Sequence, residues 1–230
     1  MDLLQGIKHI SFDLWLTLIK SDPAFKPLRN ELFAQYFGIR ERREEVTRAF
    51  YHFDHLFNRI NERAGGNVHY TEMLYVILDH LGIPIQDVPE AAMDGYYTEM
   101  EQLFFKHRPL LVSPETIDIL SRLKDKGYTI NILSNTGFIL GKTLRPALQE
   151  LGIADYFSFQ LYSDEMGSSK PSPKAYEQVF METKKIKPLT KNEVLHIGDN
   201  QIADVEGARK YGFRSAMIDD RNSLKQIFLN

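Results

Sequence analysis

Cysteine is missing from all 230 residues of this chain. Disulfides and thiolate metal sites are thereby excluded, and the composition allows an intracellular location. An excess of one charge is missing as well. With 28 basic and 31 acidic residues the formal net charge is -3, so nothing draws the chain towards nucleic acid or an anionic membrane. Any anion-binding must be local. No apolar run approaches the ~20 residues of a membrane span, and Met1 to Leu18 lacks a basic segment followed by a long apolar core. The expectation is a cytoplasmic protein with neither membrane nor nucleic-acid partners. Internal repeats and low-complexity tracts are absent too, and no feature of the sequence sets an oligomeric state.

What is present is an ordinary globular composition, 43% hydrophobic, in which short apolar segments alternate with amphipathic ones. Five segments read as buried strands: Ile7 to Phe12, Tyr128 to Leu133, Phe157 to Tyr162, Val194 to Ile197 and Arg214 to Ile218. Helical stretches separate the last four. Ser113-Pro114-Glu115 offers an N-cap, a first-turn proline and an early acid before Ile117, Leu120 and Leu123, and Gly127 closes that helix. Ser172-Pro173 opens another helix to about Lys185, and Asn200 opens one to Gly212. This alternation predicts an α/β fold with a Rossmann-like, mostly parallel sheet whose site lies beyond the carboxyl ends of the strands.

From Asp22 to about Arg108 the pattern changes to amphipathic helical runs with no convincing strand. Helices are expected over Pro23 to Phe37, Arg42 to Arg63, Tyr70 to Leu81 and Val88 to His107, separated by Gly38, Gly65-Gly66 and Gly82-Ile83-Pro84. Residues 21–108 are read as an inserted all-helical cap, and residues 1–20 and 109–230 as the α/β core. The run Arg40 to Glu45 alternates in sign and reads as a solvated helix face. His52 and His55, in the aromatic stretch Phe50 to Phe57, read as cap core rather than a metal site.

Four places carry candidate chemistry. Asp13 follows the first strand, at the carboxyl edge of the sheet, and leads into a turn containing Thr17. Asp199 follows the strand Val194 to Ile197, where Gly198 allows a tight turn, and Asp204 lies five residues further on. Carboxylates that converge repel unless a cation lies between them, and hard oxygen ligands suit magnesium. Ser134 and Asn135 end the strand before them, placed either to cap a loop or to hold an anionic oxygen. Lys170, in the polar loop before Pro171-Ser172-Pro173, is either a surface residue or the cation that offsets the carboxylates.

Taken in order, Phe12-Asp13-Leu14-Trp15-Leu16-Thr17-Leu18, Leu133-Ser134-Asn135, Lys170-Pro171-Ser172-Pro173 and Ile197-Gly198-Asp199 with Asp204 resemble the four motifs of the haloacid dehalogenase (HAD) superfamily. The resemblance covers about residues 6–20 and 110–220, with a helical insertion where that superfamily carries its first (C1) type of cap. It implies that Asp13 is a nucleophile forming a covalent aspartyl intermediate. It further implies that Ser134, Asn135 and Lys170 bind the transferred group, that Asp13, Asp199 and the Trp15 backbone carbonyl ligate Mg2+, and that Thr17 and Asp204 support the site.

Position 15 departs from the pattern. Phosphatases of the superfamily usually carry a second aspartate there, which protonates the leaving group and then activates water; indole exchanges no proton for that purpose. The dehalogenase branch has a tyrosine at this position, and Tyr176 also matches a dehalogenase-like tyrosine, although an apolar helix face accounts for it equally. The Gly198-Asp199 and Asp204 metal motif points the other way, since dehalogenases work without a metal. The reading is a Mg2+-dependent phosphatase or phosphohydrolase acting on a small phosphorylated metabolite. The alternatives are a 2-haloacid dehalogenase-like enzyme or a low-turnover protein that binds phosphorylated metabolites.

Overall fold

The structure, a computed structural model, describes residues 3–219 and 221–229. Strand β1 (His9–Phe12) leads to a two-residue strand, β2 (Ile19–Lys20). Four long helices follow: α1 (Phe25–Tyr36), α2 (Arg43–Ala64), α3 (Tyr70–His80) and α4 (Glu90–Lys106). The chain then runs through β3 (Leu110–Leu111), α5 (Thr116–Asp125), β4 (Thr129–Ser134), α6 (Gly141–Glu150) and β5 (Phe159–Tyr162). It continues through α7 (Ser163–Met166), α8 (Pro173–Ile186), β6 (Val194–Gly198) and a π-helical turn at Gln201–Glu206. That turn runs into α9 (Gly207–Tyr211), and β7 (Arg214–Met217) and α10 (Leu224–Phe228) complete the chain.

Five strands form one parallel sheet in the order β5-β4-β1-β6-β7. The chain builds outwards from β1 through β4 to β5, then returns to the other side of β1 with β6. The order therefore reverses between β1 and β6, and the crevice at such a reversal is where open α/β sheets bind ligands. Asp13 leaves β1 and Asp199 leaves β6 on the two sides of that crevice. Short β-branched and aromatic strands suit this place, since both faces of the sheet are covered and every residue of β1 and β6 is buried.

The helical insertion, α1 to α4, stands on the β2–β3 pair, whose antiparallel register sets Ile19 opposite Leu111. Two residues per strand are too few for an alternation pattern, so this base was not visible in the sequence. Phe33 is the hub inside the insertion, edge-on to Phe50 at 5.0 Å and to Tyr96 at 5.3 Å. The alternating-charge run at 40–45 is exposed apart from a partly covered Arg42. Phe50, Phe53 and Phe57 are core, whereas His52 and His55 are exposed, so the expectation that these histidines lie in the core is corrected. They fall on the other side of α2 from its apolar stripe.

Helix starts follow the expected punctuation with one exception. Asn200 caps its turn, accepting from Ile202 N and Ala203 N at 2.9 Å each, and Gly212 ends α9 with φ 104°. Ser113, expected as an N-cap, is not the N-cap of α5, which begins only at Thr116: its hydroxyl accepts from Glu115 N at 3.3 Å and donates to the Glu115 carboxylate, so it caps the turn that precedes the helix.

His9 shows how a polar residue is held inside the sheet. Its Nε2 donates to Asn131 Oδ1 at 2.8 Å, which leaves Nδ1 to accept from Thr129 Oγ1 at 2.7 Å, and the ring stacks on Phe159. Burial pushes its pKa down from 6.5 to about 4, against the opposing pull of the Asn131 hydrogen bond. The unfolded chain takes up a proton as pH falls through 6.5, whereas folded His9 stays neutral until about 4. Stability is therefore full above pH 6.5 and is lost on acidification, by up to roughly 3 kcal/mol from this group. Denaturant titrations of the parent and His9→Gln at pH 7.5 and 4.5 check this: the variant is expected to lose less stability between the two.

Candidate active site

The strand ends bring their polar residues to one point. The Asp13 amide donates to Ile197 O at 2.8 Å, extending the β1–β6 ladder one residue past β1 and aiming the carboxylate into the crevice. Lys170 is only 1% exposed, and its Nζ donates to Asp13 Oδ1 and to Asp204 Oδ1, both at 2.6 Å. The lysine that the sequence left between surface and site is thus a fully enclosed cation bridging two carboxylates. Asn135 fixes its backbone: Nδ2 donates to Lys170 O at 2.9 Å and Oδ1 accepts from Lys170 N at 2.8 Å. Both ends of that amide are spent on the Lys170 loop. Ser134 is buried at the end of β4 and donates to Asn135 O at 3.2 Å.

Asp204 is oriented from three sides. Besides Lys170, His196 Nε2 donates to Oδ1 at 3.1 Å and the Asn200 amide donates to Oδ2 at 2.9 Å. An ionised carboxylate only accepts, so His196 carries its proton on Nε2 and its Nδ1 accepts from Ser11 Oγ at 3.0 Å. Burial holds His196 below its ordinary pKa, against the pull of Asp204, so the ring is neutral. His196 and Ser11 sit opposite each other in the β1–β6 register. Neither was singled out from the sequence. The available signal was a polar residue flanked by apolar ones inside a buried strand, Ser11 between Ile10 and Phe12 and His196 between Leu195 and Ile197.

Gly198 is part of β6 rather than a tight turn. A Cβ there would lie 2.2 Å from Asp204 Cγ, so the missing side chain makes room for the carboxylate, which corrects the role expected from the sequence. Tyr176 is fully buried against His196 and its hydroxyl donates to the Ala203 carbonyl, as an apolar-face residue would.

The electrostatics are set by one cation among three acids. Asp13, Asp199 and Asp204 each present a carboxylate oxygen within 4.8 Å of the others. Burial pushes Asp13 up to about 7, only partly offset by Lys170. Asp199 is raised by burial and by Asp204. For Asp204 burial also acts upwards, but Lys170 and His196 outweigh it and hold the carboxyl ionised. Burial pulls Lys170 down, yet Asp13 and Asp204 more than restore it, so the ammonium is kept. Three acids against one lysine leave two negative charges when all are ionised, the charge that one divalent cation balances. Among the described residues no hydrogen bond reaches the Trp15 carbonyl, and the buried Thr17 and Ser169 hydroxyls also lack partners. These residues fit a hard cation with oxygen ligands.

The model of the haloacid dehalogenase-like hydrolase family matches residues 7–212. The chain belongs to that family. This HAD-like hydrolase is 24% identical over 229 residues to (S)-2-haloacid dehalogenase 2 of Pseudomonas sp. strain CBS-3, covering 97% of this chain and 89% of that protein. It is also 24% identical over 225 residues to phosphoglycolate phosphatase of Salmonella typhimurium, covering 92% and 81%. Equal identity to both leaves the reaction to be argued from the site. Among solved structures, the HAD hydrolase YfnB of Bacillus subtilis, bound to magnesium, superposes with a TM-score of 0.67 at 18% identity, covering 92% of this chain and 88% of that one.

The cap of this HAD-like hydrolase reaches the same loops. At the end of α2, Glu62 Oε1 accepts from Asn200 Nδ2 at 2.8 Å, and Gly65 O accepts from Ser169 N at 3.2 Å. Asn67 Oδ1 then accepts from Ser163 Oγ at 2.7 Å. Gly65 is left-handed, φ 69°, and a Cβ would stand 3.0 Å from Ser172 Cβ, so glycine lets the chain reverse against the Lys170 loop.

Gly198→Ala tests the packing of the acids. The added methyl must displace the Asp204 carboxylate, with an expected cost of about 1–3 kcal/mol typical of overpacking. Denaturant unfolding measures it; an unchanged midpoint would show that Asp204 has room to spare.

Proposed function

We propose that this hydrolase is a magnesium-dependent phosphohydrolase in which Asp13 attacks phosphorus and Lys170 offsets charge on the transferred group. The observation that carries the reading is the set of three convergent carboxylates with a single buried lysine. A dehalogenase needs an unencumbered carboxylate and no metal, whereas this site holds a residual charge that suits a divalent cation. Asp13, Asp199 and the Trp15 carbonyl would hold magnesium, which would screen a phosphoryl group from the acids.

Asp13 Oδ1 is engaged by Lys170, so Oδ2 is the oxygen placed to attack. The new bond is Oδ2 to phosphorus, and the bond to the leaving oxygen breaks with its electron pair. Ser134, the backbone around Asn135 and the Lys170 ammonium line the place where the transferred group sits. Water then opens the aspartyl phosphate and regenerates Asp13.

Trp15 sets the limits of this chemistry. It supplies neither a proton for the leaving group nor a base for water, a contribution typically worth ~10²–10⁴-fold. Acyl and nitrophenyl phosphates are therefore expected to be turned over faster than sugar phosphates, with a burst of leaving group followed by slow hydrolysis. Rapid-mix kinetics on one activated and one alkyl phosphate, with Trp15→Asp alongside, are the test. The variant is expected to gain on the alkyl ester, by no more than ~10²–10⁴-fold. Brisk alkyl phosphate turnover by the parent would show that another group moves the proton.

The aromatic residue at position 15 is the specific observation favouring dehalogenation, since halide leaves unprotonated. Release of chloride from 2-chloropropionate without magnesium would establish that reading instead.

A further inference from the structure

Arg29, in the second turn of α1, is the one buried guanidinium of the cap that meets no carboxylate. It is 6% exposed and lies between two aromatic faces, 4.2 Å from the centroid of Phe50 on α2 and 5.1 Å from that of Phe138 in the core loop after Asn135. Aromatic faces satisfy the plane of a guanidinium but not its edge, where five N–H groups point outwards and need acceptors. Nε and Nη2 both donate to Asn30 Oδ1, at 3.2 and 2.9 Å. Nη1 has no hydrogen-bond partner among the described residues, and no carboxylate among them lies within 4.0 Å of Arg29. Burial draws its pKa down, with Tyr96 and Asp54 opposing. Nη1 is not fully enclosed, so its donors face solvent at the cavity, where an anionic acceptor can take the place of water.

Next to it is a place for that acceptor. A cavity of about 580 Å³ lies between α1 and α2, with Arg29 at its wall and Phe50, Tyr51, Pro27 and Thr47 around it. This is within the ordinary size of a small-molecule site. The exposed cations that share the cavity are each matched: Lys26 with Asp54 at 3.8 Å, Arg43 with Glu31 at 4.0 Å and Arg48 with Glu44 at 3.8 Å. Arg29 is the unmatched charge. None of Asp13, Lys170 or Asp199 lines the cavity, so it is separate from the carboxylate centre.

We propose that this cavity binds the oxyanion, a carboxylate or a phosphate, of a small molecule with a compact apolar body, through the in-plane Nη1 donors of Arg29. Tyr51, Phe50 and Pro27 offer the apolar body a surface, and a planar fork suits either oxyanion. Because Arg29 also rests on Phe138, three residues beyond Asn135, occupancy is felt at the core loop as well as in the cap. The site does not depend on which reaction Asp13 performs.

The experiment follows the arginine Nε–H and aromatic resonances of the full chain by NMR during separate titrations with benzoate and inorganic phosphate. Saturable shifts at Arg29 and Tyr51, with a dissociation constant in the roughly millimolar range, are expected with at least one anion. The anion that binds distinguishes a carboxylate site from a phosphate site. Arg29→Gln and the cavity-filling Thr47→Trp are each expected to weaken binding by about tenfold or more. Thr47 is exposed, so its variant carries the test even if Arg29→Gln fails to fold. The proposal is overturned if neither anion shifts Arg29 saturably, or if a folded variant keeps the parent affinity.

Discussion

A lysine ammonium buried between two carboxylates organises this molecule. Lys170 comes from the loop after α7, Asp13 from the end of β1 and Asp204 from the π-helical turn after β6, so one cation ties three distant segments. Such a bridge is costly to assemble, because each ion gives up its water, and removing one partner typically costs about 3–5 kcal/mol. Much of the surrounding structure meets that cost. Asn135 clamps the lysine backbone, Gly198 yields the space for Asp204, and the chain from Ser11 through His196 supplies the donor that Asp204 needs.

The same arrangement gives the site its chemistry. Lys170 neutralises one carboxylate and leaves the crevice short of positive charge, and burial raises the pKa of Asp13 to about 7. At the end of α2 the roof meets the core through polar groups: Glu62 and Gly65 each make one hydrogen bond to a loop beside the carboxylates, and Asn67 makes one to Ser163 at the start of α7. On the other side α4 is held to the core more firmly: the Tyr97 hydroxyl bonds Thr143 Oγ1 at 2.7 Å and accepts from Leu140 N at 3.2 Å, among apolar residues continuous with the core. Phe50 of the cap also packs against Phe138 of the core, with ring centroids 5.1 Å apart.

How much of this was legible depended on whether a residue acts through its position in the chain or through its surroundings. Strand ends are positions, so Asp13, Ser134 and Asp199 could be placed at one sheet edge from apolar runs and the residues that follow them. The helical insertion was likewise visible in its period. Lys170 was ambiguous because the same polar loop suits a surface residue, and only the fold shows that two carboxylates enclose it. His196 and Ser11 escaped notice because each matters only through the strand beside it, a register that no single segment encodes. Gly198 was read as a turn because glycine most often serves turns; here it serves a close approach. Ser113 does accept from a backbone N–H, that of Glu115, but in a turn before the helix, and α5 starts three residues later, at Thr116.

The claim on which this account rests is that burial among acids, relieved by a divalent cation, governs Asp13. The most direct measurement is the titration of the Asp13 side-chain carboxyl by ¹³C NMR, with and without magnesium. The account predicts a midpoint near the value of about 7 without the ion, and a marked fall when magnesium is added. An ordinary carboxylate midpoint under both conditions, insensitive to magnesium, would contradict it.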